Sequence, residues 1–78
     1  MKTVTLYTKL GCHLCEAAEG VIAAVLRSHR VQFVRRDITE DPGDYERYCN
    51  DIPVILVDGV EVARHRITRE RLEAAIVR

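Results

Sequence analysis

Two cysteines three residues apart stand where a strand-like run gives way to a helix-like one, and this junction restricts the fold more than any other stretch of the chain. Ahead of it, Thr3-Val4-Thr5-Leu6-Tyr7 is rich in strand formers. Behind it, Leu14, Ala18, Val21, Ile22, Val25 and Leu26 recur at i, i+4, i+7, i+8, i+11 and i+12, the period of a helix with one apolar face. The segment Gly11-Cys12-His13-Leu14-Cys15 therefore opens a helix that leaves the end of a strand.

That position has chemical consequences. The first turn of a helix presents unpaired N–H groups and about half a positive charge, which favours a sulfur there as the nucleophilic thiolate. Cys12 is so placed. Cys15 follows one turn on, where the helical rise of about 1.5 Å per residue and a shared face bring the two Cα atoms within the roughly 4.4–6.8 Å that a disulfide spans. A reversible Cys12–Cys15 disulfide is thus sterically reasonable. Cys12 would attack a substrate disulfide to form a mixed disulfide, and the more buried Cys15 would resolve it. Lys9, three residues before Cys12, and His13, directly after it, are candidates for added positive potential, His13 only when protonated. By sequence distance alone, Lys9 fits a solvated loop lysine as well, and His13 an exposed helix start.

Seventy-eight residues make one small domain, 1–78, near the size at which a single core only just offsets chain entropy. Twelve acids balance twelve bases, which argues against an electrostatic drive toward nucleic acid or an anionic membrane. The charge is uneven locally: Asp37 to Asp51 holds six acids and one arginine, and Arg64 to Arg71 holds four arginines and one glutamate. The N-terminal apolar run is short and interrupted by threonines, unlike a signal peptide or a membrane span, so the cytoplasm is the expected location. Three cysteines are an odd number, and in a reducing compartment a Cys-x-x-Cys pair is more often catalytic or metal-binding than a structural staple.

Downstream, the first helix fades at Ser28-His29-Arg30, and Val31 to Ile38 reads as a second strand, parallel to the first in a βαβ unit. Asp41 is placed to cap a short helix with Pro42 at its first position, running through Tyr45 and Tyr48 to about Cys49. Pro53-Val54-Ile55-Leu56-Val57 is a continuous apolar run, Asp58-Gly59 a two-residue turn, and Val60 to Arg64 an alternating partner strand. Thr68 is placed to cap a last helix with Leu72, Ala75 and Ile76 inward. The expected order is β-α-β-α-β-β-α.

That order, the Cys-x-x-Cys at the first strand-helix junction and the Ile52-Pro53 pair opening the third strand resemble the thioredoxin fold in its compact glutaredoxin-like version. The likeness spans essentially the whole chain and implies an α/β fold with a four-stranded mixed sheet flanked by helices. Leu6 to Cys15 is similar to the active-site region of glutaredoxins and glutaredoxin-like redoxins, including a lysine three before the first cysteine. Ile52-Pro53-Val54 is similar to the family's cis-proline loop. The resemblance implies that Pro53 faces the cysteine pair and that the Ile52 backbone pairs with an incoming thiol peptide or glutathione. It further implies a thiol–disulfide oxidoreductase that acts on disulfide-bearing proteins or glutathione mixed disulfides. Its reductant would be glutathione or a flavoprotein of the thioredoxin-reductase kind, it would hold no resident cofactor, and a monomer is the expected state.

The chain departs from the family pattern in two places. Glutathione-using glutaredoxins carry a Gly-Gly pair after the hairpin, where Ala63-Arg64 stands here; Arg64, Arg66 or the N–H groups after Thr68 would have to attract the carboxylate instead. The residues between the cysteines are His13-Leu14, as in small bacterial glutaredoxin-like proteins. Cys49, four residues before Pro53, reads either as a small half-buried apolar residue or as a third exchanging thiol. The rival class is a soft-metal carrier, since Cys-x-x-Cys near the N-terminus also resembles Cu(I)-carrying heavy-metal-associated domains. Their β-α-β-β-α-β order would need a helix where the Asp58-Gly59 hairpin stands. An iron–sulfur cluster bridged through Cys12 is a second metal reading, and zinc lacks a matched second pair of ligands.

Overall fold

A computed structural model describes all of residues 1–78. β1 (Thr3–Thr8) runs into α1 (His13–Leu26), β2 (Gln32–Asp37), a 3₁₀ turn (Ile38–Glu40), α2 (Pro42–Tyr48), β3 (Val54–Val57), β4 (Val60–Arg64) and α3 (Arg69–Val77). The strands lie in the order β2-β1-β3-β4, with β1 and β2 parallel and the other pairs antiparallel. The expected element order is the observed one, with the short 3₁₀ turn added.

Alternation along the strands sorts the sheet into two unlike faces. Val4 and Leu6 of β1 pair with Val57 and Ile55 of β3, and all four side chains are buried. They meet Ala18, Ile22 and Val25 of α1 and Leu72 and Ile76 of α3 in one apolar cluster. Each large aliphatic side chain in it contributes roughly 1.5–3 kcal/mol by leaving water. The opposite face, carrying Thr5, Tyr7 and Val34, is covered only by α2, which buries no residue of its own. Its main contact with the sheet is the Tyr48 ring stacked on Tyr7, centroids 4.5 Å apart.

Local signals account for most boundaries. Asp41 accepts the N–H groups of Gly43 and Asp44, with Pro42 opening α2, and Thr68 Oγ1 accepts the Arg71 N–H at the start of α3. At the other end of α3, Lys2 Nζ donates to the carbonyls of Ala75 and Arg78, placing a cation where the helix leaves its last carbonyls open. Asp58 and Gly59 both take positive φ, 51° and 82°, as a tight hairpin turn demands.

Three expectations need correction. The second strand stops at Asp37, because the Asp37 carboxylate takes the N–H and hydroxyl of Thr39 and turns the chain, so that Ile38 is buried in the 3₁₀ turn. β4 does not alternate cleanly: Ile55 pairs with Ala63 but Leu56 with Glu61, a bulge that sends both Val62 and Ala63 toward the core. The inward stripe of α1 is Cys15, Ala18, Ile22 and Val25, one position off the expected one at its start. Leu14, Ala17 and Val21 instead line a cleft of about 90 Å³ shared with His65, Arg66 and Ile67. No helix is long and apolar enough to cross a membrane.

The unlike faces predict unlike mutational costs. Ile22→Ala should destabilise by about 2–5 kcal/mol, and Val34→Ala by less than about 1 kcal/mol, both read by urea denaturation. Equal losses would mean that the α2 side carries a second core.

Candidate functional site

The cysteine pair sits on the loop and first turn that follow β1. Gly11, at φ 83°, makes the turn out of the strand, where a side chain would be strained. The Cys12 N–H then bonds the Lys9 carbonyl at 3.3 Å, closing the loop. Cys12 is the N-cap of α1 rather than its first helical residue, and its sulfur accepts the Cys15 N–H at 3.2 Å. An open helix donor therefore points at this sulfur.

The two thiols differ sharply in exposure. Cys12 is half-buried, whereas Cys15 is 2% exposed and packed beneath the first turn. Burial pushes the Cys15 thiol up from its ordinary range, and the neighbouring Cys12 sulfur adds to this; the Thr8 side chain and the Lys9 backbone act in the opposite direction. Exposed Leu10 and partly exposed Leu14 flank Cys12 with apolar surface.

The register of β3 brings the proline loop to the same end of the sheet. Tyr7 pairs with Val54, so Pro53 lies next to the Thr8 position, at the point where β1 leads into the cysteine loop. The Ile52-Pro53 bond is cis and Pro53 is buried. Ile52 contributes neither its N–H nor its C=O to the backbone hydrogen bonds of the fold.

Glutaredoxin-like proteins share this arrangement of strand, cysteine-bearing helix start and proline loop, and the family model described as "Glutaredoxin-like domain (DUF836)" matches residues 3–77. The chain belongs to this family. A glutaredoxin-like protein of Dictyostelium discoideum, named as a YDR286C homolog, is 25% identical over 88% of this chain and 69% of its own length. Among solved structures, structural-genomics target XcR50 of X. campestris superposes with a TM-score of 0.75 at 29% identity, covering 91% of each chain. Oxidised mitochondrial thioredoxin 3 of Saccharomyces cerevisiae gives 0.70 at 22% identity, over 97% of this chain and 76% of that one. The fold is the α/β thioredoxin-like one.

The remaining residues singled out from the sequence of this glutaredoxin-like chain lie as follows. Lys9 is exposed; its backbone faces the cysteines, while its charge acts on Asp37, whose carboxyl is held low chiefly by the Thr39 side chain. His13 projects into solvent, 97% exposed, with Glu16 at 3.8 Å as its charged neighbour. Arg64 does not stand free to attract a carboxylate: Glu61 accepts from its Nε and Nη2 at 2.7 and 2.8 Å, and Asp51 lies 3.1 Å from Nη1. The acidic and basic runs of the sequence thus meet here, where Arg64 of β4 reaches the segment just before the proline loop. Cys49 is half-buried at the C-cap of α2. No group of three or more His, Cys, Asp or Glu side chains is assembled as metal ligands.

Two residues at this end escaped the sequence reading. His65 adopts a positive φ of 71°; its N–H bonds the Pro53 carbonyl at 2.7 Å, and its ring lies 3.4 Å from the Asn50 carbonyl and 3.8 Å from Asp51. Nothing in the sequence marks a histidine for that conformation. Thr8 is buried at 1% exposure and shares the inward parity of Val4 and Leu6. The signal for it was there, a hydroxyl ending an otherwise apolar inward face.

Because burial raises the folded-state value of Cys15 above the unfolded one, the protonated thiol favours folding below the ordinary thiol range, and this contribution is lost as pH rises through and beyond it. The stability difference between the reduced protein and its Cys15→Ala variant should therefore shrink from pH 7 to pH 10 in urea titrations. A difference that grows with pH would contradict the burial argument.

Proposed function

We propose that this glutaredoxin-like chain is a thiol–disulfide oxidoreductase that cycles between a Cys12–Cys15 dithiol and disulfide. The observation that carries the reading is the asymmetry of the pair: Cys12 half-buried at the helix cap with an N–H aimed at its sulfur, Cys15 enclosed one turn below. Nucleophile and resolver need these different surroundings. Family membership supports a redox role in general.

In the forward direction the Cys12 thiolate attacks a substrate disulfide and expels one substrate thiolate. Cys15 loses its proton and attacks the Cys12 sulfur of the mixed disulfide, and the second substrate thiolate leaves and takes up a proton. Two electrons pass to the substrate, and a dithiol or thiol reductant returns them to the Cys12–Cys15 disulfide. Leu10 and Leu14 would accept apolar residues beside the target cysteine, and the unengaged Ile52 backbone would align the substrate chain alongside Pro53. Disulfide-bearing proteins are the proposed substrates. With Arg64 engaged by Glu61 and Asp51, a dithiol reductant of the thioredoxin-reductase kind fits better than glutathione.

Cys12→Ser should abolish exchange, whereas Cys15→Ser should trap a mixed disulfide through Cys12, read by intact mass; equal residual activity in the two variants sinks the assignment. Equilibration of the Cys49→Ser protein with glutathione redox buffers should give one two-electron couple at roughly −180 to −270 mV. Thiols that show no such couple and are protected by a co-purified soft metal would point to metal carriage instead.

A further inference from the structure

Resting on the dithiol reading above, we infer that His65 is a positioning residue for substrate, gripping the chain on both sides of Ile52 and so holding the Ile52 backbone ready to pair with an incoming polypeptide. The segment from Asn50 to Pro53 lies outside any helix or strand, between α2 and β3. A loop of that kind moves unless something ties it down. One tie is local, the Asp51 N–H bonding the Tyr48 carbonyl at 2.8 Å. Two more come from His65, just beyond the end of β4. Its backbone N–H donates to the Pro53 carbonyl at 2.7 Å, and its ring Nε2 donates to the Asn50 carbonyl at 3.4 Å. Ile52 stands between these two carbonyls with its own N–H and C=O outside the backbone hydrogen bonds of the fold.

The backbone conformation separates the part played by the side chain from that of the main-chain bond. His65 takes φ 71°, a region that side chains rarely adopt and glycine enters freely. Glycine would make the bond to Pro53 with less strain. What histidine adds is the ring. That ring is half exposed, so burial in the core does not account for it. It faces the Asn50 carbonyl and, at 3.8 Å, the Asp51 carboxylate, which also meets Arg64 Nη1 at 3.1 Å. Since a carbonyl can only accept, Nε2 carries the proton in the Asn50 contact. His65 also lines the cleft beside Leu14 and Ala17, so the residue that grips the proline loop borders the first turns of the cysteine helix. Ordering the Ile52 backbone before the encounter removes a cost that binding would otherwise carry. The gain falls to a disulfide borne on a peptide chain, because a small disulfide has no backbone to align.

A comparison of two disulfides cancels the reactivity of Cys12 itself. In a Cys15→Ser, Cys49→Ser parent, Cys12 is the single thiol, offered either 5,5′-dithiobis(2-nitrobenzoate) or a short cysteine peptide capped as its nitrothiobenzoate disulfide. In each case the Cys12 thiolate forms a mixed disulfide and expels one nitrothiobenzoate anion, followed by stopped-flow absorbance. His65→Ala should lower the peptide rate constant relative to that of the small reagent about fivefold, the order of one net hydrogen bond. His65→Gly, which keeps the N–H and relieves the strain, should lower the ratio as far. N-methylation of the peptide on either side of its cysteine should cost the parent about fivefold and His65→Ala less than about twofold, because the alignment it disrupts is already lost. A ratio unchanged in either variant overturns the inference, as do two rate constants that fall by one factor, which marks His65 as a structural residue. An N-methyl penalty absent from the parent or undiminished in His65→Ala overturns it as well. A parent that forms no mixed disulfide with either reagent refutes the exchange reading itself. Amide nitrogen relaxation then still decides on the grip: the Ile52 order parameter should fall in folded His65→Ala, and an unaltered one overturns the inference.

Discussion

The antiparallel register of β1 against β3 is the constraint on which the rest of this molecule depends. It aligns Val4 and Leu6 with Val57 and Ile55, which makes a sheet face that α1 and α3 can bury. The same register sets Tyr7 opposite Val54, so the proline loop and the cysteine loop leave the sheet at one end. A one-residue slip would turn the apolar set outward, and it would also separate Pro53 from the strand end that leads into the cysteine loop. Core and site are held by one set of hydrogen bonds.

Around that frame the two sulfurs of the cysteine pair meet unlike surroundings. The cap geometry of Cys12 directs a backbone N–H at the outer sulfur, while the inner sulfur is packed against the sheet. The basic side chains offered by the sequence contribute less than their number suggests. Arg64 is held by Glu61 and Asp51, Arg36 by Asp44, and Arg35 by Glu19. Exposed pairs of this kind add little stability individually, but they fix which cations remain available near the cysteines.

Much of this was legible in the sequence because it rests on short-range signals. Thr68, Asp41 with Pro42, and Asp58-Gly59 each act within a few residues, and each works as its chemistry dictates. The element order followed from them and from the apolar periodicity. What was not legible depends on contacts between distant segments. The engagement of Arg64 needs Asp51 brought across from the loop before β3, the bulge near Val62 needs the partner strand, and the left-handed His65 needs the Pro53 carbonyl. Leu14 was assigned to the helix interior because spacing alone cannot separate adjacent stripes of an apolar helix; the segment from His65 to Ile67 decides which of them is covered.

The thin cover that α2 gives the sheet has a consequence for the order in which the three thiols meet the outside world. A helix of seven residues with no buried side chain is held by its caps, one aromatic stack and the exposed Arg36–Asp44 pair, so it belongs to the part of the molecule that opens locally at small cost. Cys49, at its end, is then uncovered by fraying, on a timescale that leaves the rest of the protein folded. Cys12 needs no opening at all. Cys15, enclosed between α1 and the sheet, is the least open of the three to a bulky reagent. The thiols thus run on separate clocks, and a bulky alkylating agent would mark Cys12 and Cys49 before Cys15.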